Sequence, residues 1–185
     1  LAKHTKATVL FFGSESKRCI IHFDPSKTII TLEGSHYHVK ENETGHEFVI
    51  KTKLIGSQFV YNLMASYLVY RIVKGRSGTG HQEIFSSFLD TVREIKPLKG
   101  RMSIGNFGKY TVIDDSLRSN PISLSSGLRT FHEINLLNSY RKILILGEMG
   151  ELGDSERIKH KEAGELIAEL NDFDMLIGIG PLLKI

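Results

Sequence analysis

Thr111–Pro121 reads TVIDDSLRSNP: an apolar run stops at two adjacent carboxylates, Asp114 and Asp115, and a polar turn leads to Asn-Pro. The order predicts a strand over 109–114 and a helix starting at Pro121. Asn120 is suited to cap that helix and Pro121 to its first turn. Leu124, Leu128, Phe131 and Ile134 then recur at helical spacing. The unit repeats downstream. KILILG (142–147) is a continuous apolar run of the kind a parallel strand buried on both faces needs. Asp154 is placed to cap a helix over SERIKHKEAGELIAEL, and DMLIGIG (174–180) is a further buried-strand run. Strands alternating with helices predict an α/β fold with a doubly wound, Rossmann-like sheet from residue 99 to residue 185.

Upstream the texture differs. ATVLFF, CIIHF, TIITLE, HYHVK and EFVIKTKL are β-rich and separated by turn signals such as DPS and ENETG, which predicts an antiparallel region. QFVYNLMASYLVYRIV (58–73) is apolar on most faces and reads as a buried helix. QEIFSSFLDTVREI follows, with Ile84, Phe85, Phe88, Leu89 and Val92 at helical spacing. KPLKGR ends it, and a domain boundary is placed there, giving domains 1–98 and 99–185.

The bulk numbers exclude several classes. With 24 Lys+Arg against 21 Asp+Glu the net charge is +3, and no basic run argues for a nucleic-acid partner. The single cysteine, Cys19, cannot form an internal disulfide, and no apolar run reaches membrane-spanning length. The chain reads as cytosolic and not membrane-inserted. It opens on Leu1 and stops just after a strand, so it is expected to be a cut piece.

Ligands of such a sheet sit beyond the carboxyl ends of its strands, where Asp114 and Asp115 fall. A carboxylate there can accept two hydrogen bonds from the vicinal hydroxyls of a ribose. The plainer reading has one acid capping the turn and the other in solvent. VIDDS also resembles the opening of a phosphoacceptor receiver domain, but no third Asp ends a later strand. GRSGTGHQ has the glycines of a phosphate loop without Gly-Lys-Ser/Thr and follows a helix, so it reads as a connector. His36 and His38 share a strand face with no third ligand nearby, and His160 reads as a surface residue of its helix.

Four stretches in order resemble the Mur ligases, ATP-dependent enzymes that add amino acids to the UDP-linked cell-wall precursor. LIGSQFVYNLMAS is similar to the family's Gly-x-His-Asn-x-x-Asn-x-x-Ala segment at Gly56, Asn62 and Ala65. KPLKGRMSI resembles the Pro-x-x-Gly-Arg hinge, with Arg101 on its arginine. VIDDSLRSNP resembles the Ile-(Asn/Asp)-Asp-Ser strand end, and its Asn-Pro points to the branch that adds D-alanyl-D-alanine. ILILGEMGELGDSERIKH is similar to that branch's Leu-Gly-Asp-Met-x-Glu-Leu-Gly region, matching Met149, Glu151, Leu152, Gly153, Ser155 and His160.

The resemblance implies the tail of the central ATPase domain followed by the C-terminal domain. It implies ATP and Mg²⁺ as cofactors, a UDP-MurNAc-peptide and D-alanyl-D-alanine as substrates, and a monomeric cytoplasmic enzyme of peptidoglycan synthesis. ATP contacts carry over to Gln58, Asn62, Arg101 and Asp115, with Arg101 on the phosphates and Asp115 on the ribose. Asp114, Ser116, Arg118, Asn120, Glu148, Glu151 and His160 carry over to substrate-side loops. No metal ligand falls in this stretch. The phosphate loop, Mg²⁺ ligands, activated lysine and UDP-binding domain would precede Leu1, so these 185 residues alone are not expected to catalyse.

Departures from the pattern are Gln58-Phe59 in place of His-Asn, Leu117-Arg118-Ser119 in place of Tyr-Asn-Ala, and Glu148 in place of Asp. A folylpolyglutamate or cyanophycin type of ligase, and a nucleotide-binding module that has lost catalysis, remain alternatives.

Overall fold

The structure is a computed structural model that describes residues 5–15, 18–134 and 140–183. The extreme ends, on which the reading as a cut piece rests, lie outside the described residues. Contacts divide the chain into two compact units, one running to Ile29 and through Glu33–Lys96, the other holding Ile30–Leu32 and everything from Pro97.

The first unit is a twisted sheet with two helices on one face. The strands of that sheet are β1 (Phe12–Gly13), β2 (Ile21–Phe23), β3 (Ile29–Thr31), β4 (Gly34–Glu41) and β5 (Glu47–Thr52), with Ile30 and Thr31 of β3 grouped by contacts with the second unit. β4 pairs antiparallel with β2 and with β5, in a register that sets Val39 opposite Phe48 and Tyr37 opposite Ile50. The expected all-antiparallel order fails at one place. β1 pairs parallel with β2, Phe12 opposite Ile21, because the chain returns to its starting end before β2 begins. Most of the expected first strand, including Val9, Leu10 and Phe11, lies outside any strand and is exposed.

Alternation on β4 and β5 turns Tyr37, Val39, Phe48 and Ile50 to one face. There they meet α1 (Phe59–Arg76) through Val60, Leu63, Met64, Tyr67 and Leu68, and α2 (His81–Glu94) through Phe85, Phe88 and Val92. Each such side chain contributes about 1.5–3 kcal/mol when fully buried, so this layer outweighs the turns in holding the unit. Contrary to the reading of 58–73 as a buried helix, α1 is covered on one side only, and Val69, Ile72 and Val73 are exposed. The sheet reaches only one face of the helix.

Beneath this core lies a buried charge. Glu41, at the end of β4, is fully buried, and its carboxylate accepts hydrogen bonds from Tyr67 Oη at 2.6 Å and Thr44 Oγ1 at 2.9 Å. His81 Nε2 stands 3.1 Å away and Arg71 Nη1 3.6 Å.

The second unit has the expected α/β texture with a different partition of strands. β6 (Ser103–Phe107) and β7 (Tyr110–Asp114) form an antiparallel hairpin. β6 was not foreseen, because RMSIGNFG holds few β-branched residues and reads as hinge. β8 (Ile143–Gly147) and β9 (Met175–Ile179) form a parallel ladder, Ile143 opposite Met175. Strand β7 thus finds its partner in β6, where a single sheet through all three strands was expected. Leu144 and Leu146 of β8 pack on α3 (Pro121–Glu133) and α4 (Glu156–Leu170), through Leu124, Leu128, Phe131, Leu166 and Ile167.

Asn120 caps α3 as its position suggests, accepting from the amides of Ile122 and Ser123 at 3.0 and 2.9 Å. Asp154 does not cap α4. Gly153–Ser155 is a 3-10 turn that runs straight into the helix, so Ser155 takes the cap position and its amide bonds back to Leu152 O. No described helix is long and apolar enough to cross a membrane.

Candidate functional site

The hairpin β6–β7 brings the hinge-like stretch 97–103 against the two acids. Strand register sets Ser103 opposite Asp114, and the Leu117 amide bonds to Gly100 O at 3.0 Å, so the segments on either side of the hairpin are tied together. Gly100 needs to be glycine. Its φ is +75°, and an added Cβ would fall 2.9 Å from Leu117 Cβ.

The two acids do different work. Asp114 Oδ1 accepts the Ser116 amide at 3.1 Å, an Asx turn that bends the chain away from β7. The Ser116 hydroxyl and amide together hold its carboxyl below the usual carboxylate range. Asp115 is half-buried, and its Oδ1 accepts the Met102 amide at 3.2 Å. Burial pushes its carboxyl above the usual range, against the Met102 amide and the Arg101 charge, with Asp114 adding to the rise. Neither acid is simply solvated.

Asp115 is therefore a partly desolvated anion that accepts one long hydrogen bond, from the Met102 amide. Its second oxygen faces α3 at Gly127, where an added Cβ would sit 3.1 Å from Oδ2. A carboxylate so placed is short of donors, and a vicinal diol supplies two.

Backbone strain marks the same region. Among the described residues, four other than glycine have positive φ: Met102 (50°), Arg118 (61°), Glu151 (62°) and Asn171 (44°). Asn171 is the left-handed C-cap of α4, an ordinary use. The other three fall in the hinge, the loop after β7 and the loop after β8. Such conformations cost on the order of 1–3 kcal/mol each and collect where function requires them.

The remaining sequence candidates fall into separate groups. Ser116 and Arg118 are exposed beside Asp115, while the Asn120 carbonyl oxygen is taken up by capping. Glu148 is exposed at the end of β8 and accepts the Leu182 amide at 2.7 Å, tying β8 to the turn after β9. His160 is buried, in contrast to its reading as a surface residue. Its Nε2 accepts the Met149 amide at 2.9 Å and its Nδ1 donates to Glu156 O at 2.8 Å, so the ring braces the loop that carries Glu151. Gln58 and Asn62 belong to the first unit. The Gln58 amide folds into the space a Cβ on Gly56 would need, and Asn62 is exposed on α1. Met102 and Gly127 were not singled out from sequence, since their part is played by a backbone amide and a missing side chain.

Among the described residues, no three His, Cys, Asp or Glu side chains group as a metal ion would need.

No protein-family model matches the chain, and no curated protein sequence does. Solved structures do match. MurF from Acinetobacter baumannii matches 88% of this chain with a TM-score of 0.70 at 19% identity, over 32% of its own length. The MurF ligase from Thermotoga maritima, in complex with ADP, matches 91% of this chain with a TM-score of 0.67 at 18% identity, over 38% of its own length. A UDP-N-acetylmuramoylalanyl-D-glutamyl-2,6-diaminopimelate--D-alanyl-D-alanyl ligase from Acinetobacter baumannii matches 95% with a TM-score of 0.68 at 16% identity, over 34% of its length. The chain thus has the fold of part of a MurF ligase and spans about a third of the length of those proteins.

Proposed function

We propose that this chain is part of an ATP-dependent ligase that joins D-alanyl-D-alanine to a UDP-MurNAc-peptide through an acyl phosphate. The observation that carries the reading is that a fold match over 88% of the chain coincides with four sequence landmarks in family order. In such a reaction a substrate carboxylate takes the γ-phosphoryl group from ATP, releasing ADP. The amine of the incoming unit then displaces phosphate to leave an amide.

This chain's share is to hold the nucleotide. Asp115 accepts the ribose hydroxyls, and its shortage of donors supports that role. Arg101, whose charge already acts on Asp115, offsets charge on the phosphates. The family resemblance assigns Gln58 and Asn62 of the first unit to the adenine. The strained loops of Arg118 and Glu151, with Ser116 and Glu148, face the peptide substrates, whereas Asn120 and His160 support them from behind. Mg²⁺ would neutralise phosphate charge, and no ligand for it is assigned here.

Calorimetric titration with ATP tests the assignment. Asp115→Ala is expected to weaken binding at least tenfold, about 1.4 kcal/mol, while Asp114→Ala stays within about threefold. Unchanged affinity in Asp115→Ala would remove the ribose role. Stability offers a second readout. A carboxyl whose folded value is raised contributes stability below its unfolded value and loses it as pH rises through the folded value. At pH 7 the ionised Asp115 is thus a liability to the fold, and Asp115→Asn should not lower the melting temperature there.

A further inference from the structure

We infer that Asp115 is a latch as well as a ribose ligand: without nucleotide its Oδ1 holds the Met102 amide, and the ribose diol displaces that amide on binding, freeing the turn that carries Arg101. The inference rests on the ribose reading above and adds a consequence for Arg101.

Three observations carry it. The bond from the Met102 amide is 3.2 Å long, whereas hydrogen bonds to an ionised carboxylate settle at about 2.7–2.9 Å. It is therefore a weak contact, open to replacement by better-placed donors. Met102 is held at φ 50°, a left-handed conformation that is costly for a residue with a Cβ. Gly127 sits in the interior of α3, where glycine costs about 1 kcal/mol against alanine, and its missing Cβ leaves Oδ2 its space.

Three neutral bonds also tie the turn, beside the charge of Lys99 acting on Asp114. The Arg101 amide donates to Leu98 O at 3.0 Å, the Gly100 amide to Ser103 Oγ at 3.1 Å, and the Leu117 amide to Gly100 O at 3.0 Å. None of these involves a group that a ribose would seek. The Asp115 contact is thus the one a nucleotide can exchange. Because Arg101 directly precedes Met102, loss of the latch lets its backbone turn. Asp115 then acts as a positioning residue for Arg101, so that ribose binding and phosphate contact are made in sequence.

Amide hydrogen exchange at Met102, followed by NMR on the 185-residue chain, tests the latch. Without nucleotide, Asp115→Ala should speed Met102 exchange at least tenfold, and Asp115→Asn, which keeps an acceptor, should stay within threefold of wild type. Equal exchange in wild type and Asp115→Ala would overturn the latch. Saturating ATP should shift the Ser116 and Leu117 amides and speed Met102 exchange tenfold or more. Shifted Ser116 and Leu117 amides with Met102 still protected would overturn the latch and leave the ribose reading standing. If ATP moves no amide around Asp115, the ribose reading fails and the latch falls with it.

Discussion

Glu41→Ala is expected to destabilise the first unit by about 3–5 kcal/mol, the range for removing one member of a buried, hydrogen-bonded charge cluster. The carboxylate is fully buried and accepts hydrogen bonds from Tyr67 and Thr44, with His81 Nε2 at 3.1 Å and the Arg71 guanidinium an ion-pair partner at 3.6 Å. Without it the Tyr67 hydroxyl and the Arg71 guanidinium lose their buried partner together. Burial by itself pushes the Glu41 carboxyl up, but the bonds from Tyr67 and Thr44 and the charges of His81 and Arg71 outweigh it, so the group stays below its ordinary value of 4.5. The sign follows from that depression. Stability from Glu41 is fully present above 4.5 and is lost as pH falls through the lower folded value. Thermal melts should therefore show wild type losing stability below about pH 4.5, with Glu41→Ala less stable at neutral pH and less sensitive to acid. A loss under about 1 kcal/mol at pH 7 would mean that the cluster is solvated and carries no load.

His160→Ala should destabilise the second unit by about 2–4 kcal/mol, combining an unpaired buried amide with the lost packing of the ring. The ring is 6% exposed and the Met149 it braces is 1% exposed, so water cannot easily replace either bond. Denaturant unfolding measures the loss. The same variant separates a brace from a substrate contact. A brace lowers stability and leaves ATP affinity within a few fold, whereas a ligand contact would lower affinity with stability intact.

Legibility of the chain divides along physical lines. Elements whose signal is local were readable: the Asn120-Pro121 start of α3, the apolar stripe of Leu124, Leu128 and Phe131, and the strand character of β8 and β9 all depend on neighbours within a few residues. The burial on both faces expected of those two strands is not found, since β8 buries only Leu144 and Leu146 and β9 is exposed along its length. Features that depend on distant partners were not. Glu41 lies in ENETG, which reads as a turn, and its burial is set by Tyr67 and His81, 26 and 40 residues away. His160 sits on a polar-looking helix face that the loop after β8 covers. β6 has too few β-branched residues to announce itself, and only its pairing with β7 makes it a strand. The outer side of α1 shows the reverse failure, since apolar composition predicted burial that the first unit alone does not provide.

At the candidate site, sequence pointed to Asp114, Asp115 and Arg101 because acids at a strand end and an arginine in a hinge have recognisable patterns. It could not show that Asp115 is already engaged by a backbone amide, or that Gly127 makes room for its second oxygen. Both facts belong to a hairpin whose first strand was unforeseen.

The central claim is that the Asp115 carboxylate recognises the hydroxyl pair of a nucleotide sugar, and the most direct measurement compares ATP with 2′,3′-dideoxy-ATP by calorimetry on this chain. Tighter binding of ATP by at least tenfold, with the preference abolished in Asp115→Ala, is the predicted result. Equal affinity for the two nucleotides in the wild-type chain would contradict it.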